Sequence, residues 1–154
     1  MEEEREPTVA EYETAEHQTA LKLFVVLSRA SHAVGMRAMR DVEARGLSLT
    51  DFAVMEALYH RGPMPLGEIG HRVLRQSGSI TYAVDKLEAR GWVRRQPSND
   101  DQRVTFAELT CEGRALMDQV FPEHAEMIRE MMSVLTTEEQ ETTIALLKRL
   151  GKSV

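Results

Sequence analysis

Between Leu47 and Leu109, glycines and prolines punctuate the sequence so closely that only short elements fit between them. Ser48 or Thr50 can cap a first short helix, with Phe52, Met55, Leu58 and Tyr59 as its apolar face and Gly62-Pro63 as its stop. Pro65 suits the first turn of a second helix, with Ile69 and Val73 turned inward. Ser77-Gly78-Ser79 opens a third, with Ile80, Val84 and Leu87 at i, i+4, i+7, and Gly91 ends it. The period then switches. Trp92–Gln96 and Val104–Leu109 are rich in β-branched and aromatic residues, and the polar run Pro97-Ser98-Asn99-Asp100-Asp101-Gln102 separates them. Three short helices followed by a protruding β-hairpin are predicted.

The flanks have a different character. From about Thr14 to Ala44, a stripe recurs at helical spacing (Leu21, Phe24, Leu27, Ser31, Val34, Ala38) with no proline to interrupt it, and Gly46 closes the run. A helix of that length spans about 45 Å, more than a small domain needs for its own core. After the hairpin, Thr110 caps a long helix with a Leu116, Val120, Ile128, Met131 stripe, which Pro122 is placed to kink. Thr136-Thr137-Glu138-Glu139 reads as a capping box for a last helix whose apolar face is Ile144, Leu147 and Leu150. Residues 1–13 are acidic and aperiodic, and are expected to form a frayed tail. The predicted organisation is that tail, a 14–46 and 110–154 helical dimerisation region, and a compact 47–109 unit.

The net charge of −6 argues against a polyanionic partner until its distribution is considered. Residues 1–16 hold seven glutamates and one arginine, which leaves the other 138 residues neutral overall. Residues 71–95 carry Arg72, Arg75, Lys86, Arg90, Arg94 and Arg95 against Asp85 and Glu88, a local net of +4. A basic segment on a neutral body is the footprint of a nucleic-acid binder, although a solvated helix face has the same charge pattern. No apolar run approaches the ~18 residues of a membrane span, and no signal peptide is recognisable, so a cytoplasmic location is expected. A single cysteine, Cys111, excludes an internal disulfide.

Together these features form the pattern of a winged helix-turn-helix. The third helix has the width of the DNA major groove, and its start offers small hydrogen-bonding residues: Gln76, Ser77, Ser79, Thr81 and Tyr82. Arg94, Arg95 and Arg103 lie on the hairpin, within reach of a neighbouring phosphate or minor groove. Arg75 and Lys86 fit a DNA contact and a solvated helix face equally well.

Several stretches resemble the DNA-binding core of the MarR family. They are Leu58-Tyr59-His60-Arg61-Gly62, Pro65-Leu66-Gly67-Glu68-Ile69-Gly70, Ser77-Gly78-Ser79-Ile80-Thr81, and Leu87 through Arg95. Asp100-Asp101-Gln102-Arg103 in the hairpin and Leu109-Thr110-x-x-Gly113 after it complete the likeness, which covers about residues 20–150. The resemblance implies that Arg103 is the wing arginine that enters the minor groove and that Asp101 holds its guanidinium. It implies a homodimer built by the first and the last two helices, and hence a pseudo-palindromic double-stranded operator with half-sites about one helical turn apart. It also implies a repressor released by a small aromatic effector. Ser-Gly-Ser-Ile-Thr-Tyr with Arg-Val-Thr-Phe-Ala-Glu-Leu-Thr is similar to the branch responsive to quinones and hydroquinones.

His32, Met36, Met55 and Tyr59 could line such an effector pocket, since methionine adapts to flat ligands and His or Tyr can hydrogen-bond a hydroxyl. Core packing accounts for each of them at least as well. Other family members sense peroxide through a cysteine near the start of the first helix, where this chain has none. Cys111 at the start of a later helix leaves a thiol-based redox-sensing repressor as an alternative, though a small filler at a helix start explains it more simply. The five histidines lack metal-ligand spacing, and neither a phosphate loop nor a nucleophile elbow is present, so neither an enzyme nor a cofactor is expected. A winged helix used for protein–protein contact is the remaining alternative. The basic wing and the polar start of the third helix speak against it.

Overall fold

The computed structural model describes residues 14–73, 77–101 and 103–153, and of residues 77 and 78 the backbone only. The elements run α1 (Ala15–Glu43), α2 (Leu49–Arg61), β1 (Met64–Pro65), α3 (Leu66–Val73), α4 (Ser77–Ala89), β2 (Val93–Pro97), β3 (Thr105–Leu109), α5 (Cys111–Met132) and α6 (Thr137–Gly151). The chain divides into two compact units, Met1–Arg37 and Ala38–Val154. In the first, the described residues are dominated by α1, whose Leu21 and Phe24 are exposed, Phe24 by 69 %.

In the second unit α2, α3 and α4 enclose one core, from Phe52, Val54, Met55 and Leu58 through Ile69 to Ile80, Val84 and Leu87. The apolar positions predicted for these helices thus face inward, with Tyr59 and Val73 at the margin. Ser48, rather than Thr50, caps α2. Its hydroxyl accepts from the Asp51 N–H while the Asp51 carboxylate accepts from the Ser48 N–H, so two orphan donors of the first turn are satisfied. Gly91, at φ 75°, provides the left-handed residue that turns the chain from α4 into the sheet.

The hairpin is part of a three-stranded antiparallel sheet of order β1-β3-β2. Val93 pairs with Leu109 and Pro97 with Thr105, while Met64 pairs with Ala107 on the other edge of β3. The first strand is a correction to the predicted order: Pro65 lies in β1 rather than in the first turn of α3, which begins at Leu66. Met64 is buried in the core, so two residues suffice to anchor this edge.

Thr110 caps α5, accepting from the Gly113 N–H, and α5 continues through Pro122. Its buried stripe is Gly113, Met117, Val120, His124 and Met127. Of the predicted stripe, Val120 alone belongs to it. His124 is accommodated because its Nδ1 lies 2.8 Å from Asp41 Oδ2, and Asp41 also receives the Arg45 guanidinium. Burial disfavours the Asp41 carboxylate, but the hydrogen bonds from His124 and Arg45 outweigh it, and the pKa falls below its ordinary value. Helix α6 has the predicted capping box between Thr136 and Glu139 and buries none of its residues, leaving Ile144, Leu147 and Leu150 exposed. No helix among the described residues is long and apolar enough to cross a membrane.

Candidate nucleic-acid interface

Helix α4 and the β2–β3 hairpin carry the candidate residues, and the core fixes both. Ile80, Ala83, Val84 and Leu87 point inward, leaving Ser79, Thr81 and Tyr82 exposed on the first turns of α4. Tyr82, 68 % exposed, lies under the Lys86 ammonium, with Nζ 5.7 Å from the ring centroid. Arg75 and Gln76, and the side chain of Ser77, are outside the described residues.

At the hairpin tip, the Ser98 hydroxyl accepts from the Asp100 and Asp101 N–H groups, and the Ser98 N–H donates to the Val104 carbonyl. These bonds tighten the predicted turn. Asp101 Oδ1 then accepts from the Arg103 N–H at 3.0 Å and lies 3.9 Å from its Nε. The Arg103 side chain is 95 % exposed. The contact that Asp101 makes at hydrogen-bond distance is thus with the Arg103 backbone; the guanidinium is held loosely and stays in solvent.

The other cations are largely engaged. Lys86 Nζ lies 2.6 Å from Asp51 Oδ2, a carboxylate only 2 % exposed, and so ties α4 to the cap of α2. Arg94 pairs with Glu108 across the β2–β3 ladder at 2.5 Å. Arg72 pairs with Glu68 one turn back in α3. Arg90 donates to the Gly46 carbonyl and stacks over Trp92. Arg95 reaches two α4 carboxylates, with Nη2 2.5 Å from Asp85 Oδ1 and Nη1 2.6 Å from Glu88 Oε2. Partial burial disfavours the charge at Arg95, and the hydrogen bonds it donates to Glu88 and Asp85 overcome it, raising its pKa. The local excess of +4 counted along residues 71–95 is therefore reduced in space by Asp51, Glu68 and Glu108, which lie outside that segment. Sequence reasoning missed Asp51 and the Asp85–Glu88 pair as partners. The signal for the second was present in two carboxylates at i, i+3 on α4, opposite a strand arginine.

Of the effector candidates, His32 and Met36 belong to the first unit, and Met55 and Tyr59 to the second. Met55 is fully buried in the core. Tyr59 donates its hydroxyl to Asp118 at 2.6 Å, which raises its pKa, and its ring lies beside Phe121 and under Arg114. Cys111 is exposed at the first turn of α5. Among the described residues, no three His, Cys, Asp or Glu side chains gather as a metal ion would require.

Comparison with known proteins bears on this geometry. The model of the MarR family matches residues 47–105, the span of the three short helices and most of the sheet. The HTH-type transcriptional regulator MhqR of Bacillus subtilis is 48 % identical over 134 residues, 87 % of this chain and 92 % of that protein. The chain belongs to the MarR family. Its fold is that of the MarR family regulator AbsC from Streptomyces coelicolor, with a TM-score of 0.78 at 21 % identity over 91 % of this chain and 95 % of that one. It also matches a mutant of MarR from E. coli solved in complex with operator DNA, with a TM-score of 0.72 at 24 % identity over 82 % and 94 % of the two chains. The protein is thus a DNA-binding transcription regulator of the winged helix-turn-helix type.

Proposed function

We propose that this MarR-family protein is a homodimeric repressor that reads a pseudo-palindromic operator and is released by a small phenolic or quinone-like compound. The observation that carries the DNA-reading assignment is Arg103, which stands in solvent at the tip of the wing, with Ser79, Thr81 and Tyr82 also exposed on the first turns of α4. Ser79, Thr81 and Tyr82 are assigned to the major groove, and Arg103 to the minor groove. Arg75, Gln76 and Ser77 stay in the assignment on sequence grounds. Lys86, Arg94 and Arg95 have their charges engaged by carboxylates, so their first duty is structural.

The dimer assignment rests on apolar surface. Leu21, Phe24, Ile144, Leu147 and Leu150 are all exposed in the single chain, an arrangement that costs free energy unless a second copy covers it. On this reading residues 47–109 form the DNA-reading domain, while 14–46 and 110–154 form the dimer region. The effector assignment rests on the likeness to the quinone-responsive branch, with His32, Met36 and Tyr59 as the residues to vary first. The protein acts in the cytoplasm and carries out no catalysis.

The test is a pair of titrations on the chain's own upstream intergenic DNA, with sedimentation to count protomers per site. One dimer per palindrome, released by one class of phenols or quinones, is the expected result. Binding as a monomer, or retention of the DNA across that panel, would contradict the dimer and effector assignments respectively.

A further inference from the structure

Arg95 differs from the other hairpin arginines in where its charge is spent. Its N–H donates to Glu88 Oε1 at 3.1 Å, its Nη1 to Glu88 Oε2, and its Nη2 to Asp85 Oδ1 and, at 3.4 Å, to the Thr81 carbonyl. Every one of these acceptors is on α4. The side chain is 24 % exposed, whereas Arg103 is 95 % exposed. A planar guanidinium fork spanning two carboxylates one helical turn apart is a rigid brace that a lysine cannot reproduce. One guanidinium against two carboxylates leaves the spot net negative, which repels a phosphate. On its other side α4 is held to α2 by the Lys86–Asp51 pair.

We propose that Arg95 is a positioning residue that fixes the wing relative to α4, and so sets the distance between the minor-groove and major-groove contacts of one half-site. The inference rests on the DNA-reading function proposed above. Its leverage comes from where it sits. Arg95 is at the middle of β2, about 16 Å of extended chain from the wing tip. A tilt of ~5° at the brace displaces the tip by about 1.4 Å over that length, enough to unseat Arg103 from a groove only about 6 Å wide. Thr81, one of the exposed residues assigned to the major groove, is in the same network through its carbonyl, so the brace links the two contact elements directly.

Three variants test this on the full-length protein with its own upstream intergenic DNA: Asp85→Asn with Glu88→Gln, Arg95→Gln, and Arg95→Lys. Each is titrated at several salt concentrations and footprinted twice, with hydroxyl radical for the minor-groove edge and dimethyl sulfate for guanine N7 in the major groove. The carboxylate double variant is expected to bind about tenfold more weakly although its surface is less negative, with a salt slope no shallower than that of Arg103→Ala, in which the wing contact itself is removed. Its hydroxyl-radical protection under the wing fades while guanine protection persists. Arg95→Gln behaves alike, and Arg95→Lys restores only part of the affinity. A melting temperature within a few degrees of wild type in all three shows that the fold is intact. Tighter binding by the carboxylate variant with wing protection retained would overturn the proposal. So would a salt slope shallower by a further ~0.9 per protomer when Arg95→Gln is added to Arg103→Ala, the mark of a phosphate contact made by Arg95 itself. Wild-type protein that binds no DNA would overturn the DNA-reading function and this inference together, whereas bound wild type with indifferent variants overturns the inference alone.

Discussion

Replacing Gly113 with alanine tests how the wing is joined to α5. Gly113 is the third residue of α5, and a Cβ built on it would stand 2.0 Å from the Trp92 carbonyl oxygen and 2.8 Å from the carbonyl carbon. Both neighbours are backbone, so relief requires α5 and the start of β2 to separate by more than an ångström. The Trp92 carbonyl also accepts the Thr110 N–H at 3.0 Å, and the Thr110 hydroxyl donates to the Gly91 carbonyl at 2.6 Å. Separation strains both bonds. Forced overpacking costs about 2 kcal/mol and a lost backbone hydrogen bond about 1 kcal/mol. Alanine returns at most about 1 kcal/mol through its better helix propensity. The net is a destabilisation of about 2 kcal/mol, or a melting temperature lower by about 4–8 °C for a chain of this size. The assay is thermal unfolding followed by circular dichroism at one fixed protein concentration, since a dimer's melting point depends on it. Gly67→Ala is the control, because its Cβ would meet nothing within 4 Å. It should be neutral or stabilising by up to about 1 kcal/mol. A Gly113→Ala melting point within a degree of wild type, or above it, would refute the close-approach argument and with it this reading of Leu-Thr-x-x-Gly.

Other consequences are open to measurement. Arg103→Ala removes a side chain that is 95 % exposed, so it should leave the melting temperature unchanged while weakening operator binding about 10- to 100-fold, read by fluorescence anisotropy. Asp51→Ala removes both the reciprocal cap of α2 and the buried partner of Lys86, and should cost about 3 kcal/mol in urea unfolding; a loss below ~1 kcal/mol would contradict its double role. Asp41 has a folded pKa below its unfolded value near 4, so its contribution to stability is complete above that value and is lost as the pH falls through the folded pKa. Stability should therefore drop below pH ~4, and Asp41→Asn should flatten that part of the profile.

What the sequence revealed about this molecule was mostly local. The stops at Gly46, Gly62 and Gly91 and the caps at Thr110 and Thr136 were legible because donor and acceptor lie within three or four residues of each other. The choice between Ser48 and Thr50 needed the structure, since only Ser48 exchanges hydrogen bonds with Asp51. Strand β1 was invisible because it is two residues long and exists only through pairing with Ala107 and Phe106. The inward face of α5 was misread because it contains a glycine forced by close approach and a histidine paired with Asp41, neither of which scores as apolar. The ion pairs of the candidate interface were hidden for a related reason. Counting charges along the chain finds Lys86 and Arg94, but the carboxylates that occupy them lie in α2 and β3 and are joined only by folding. Arg103 differs in that Asp101, two residues away, leaves its guanidinium in water.

The central claim is that the winged helix grips DNA through the wing and the start of α4. Its most direct test is the binding constant for the upstream intergenic DNA measured across a range of salt, for wild type and Arg103→Ala side by side. Tight wild-type binding that falls steeply with salt is predicted, together with a slope about 0.9 shallower per lost phosphate contact in the variant and a large loss of affinity. Wild-type affinity in the variant, or no binding to this DNA or to random duplex at low salt, would contradict it.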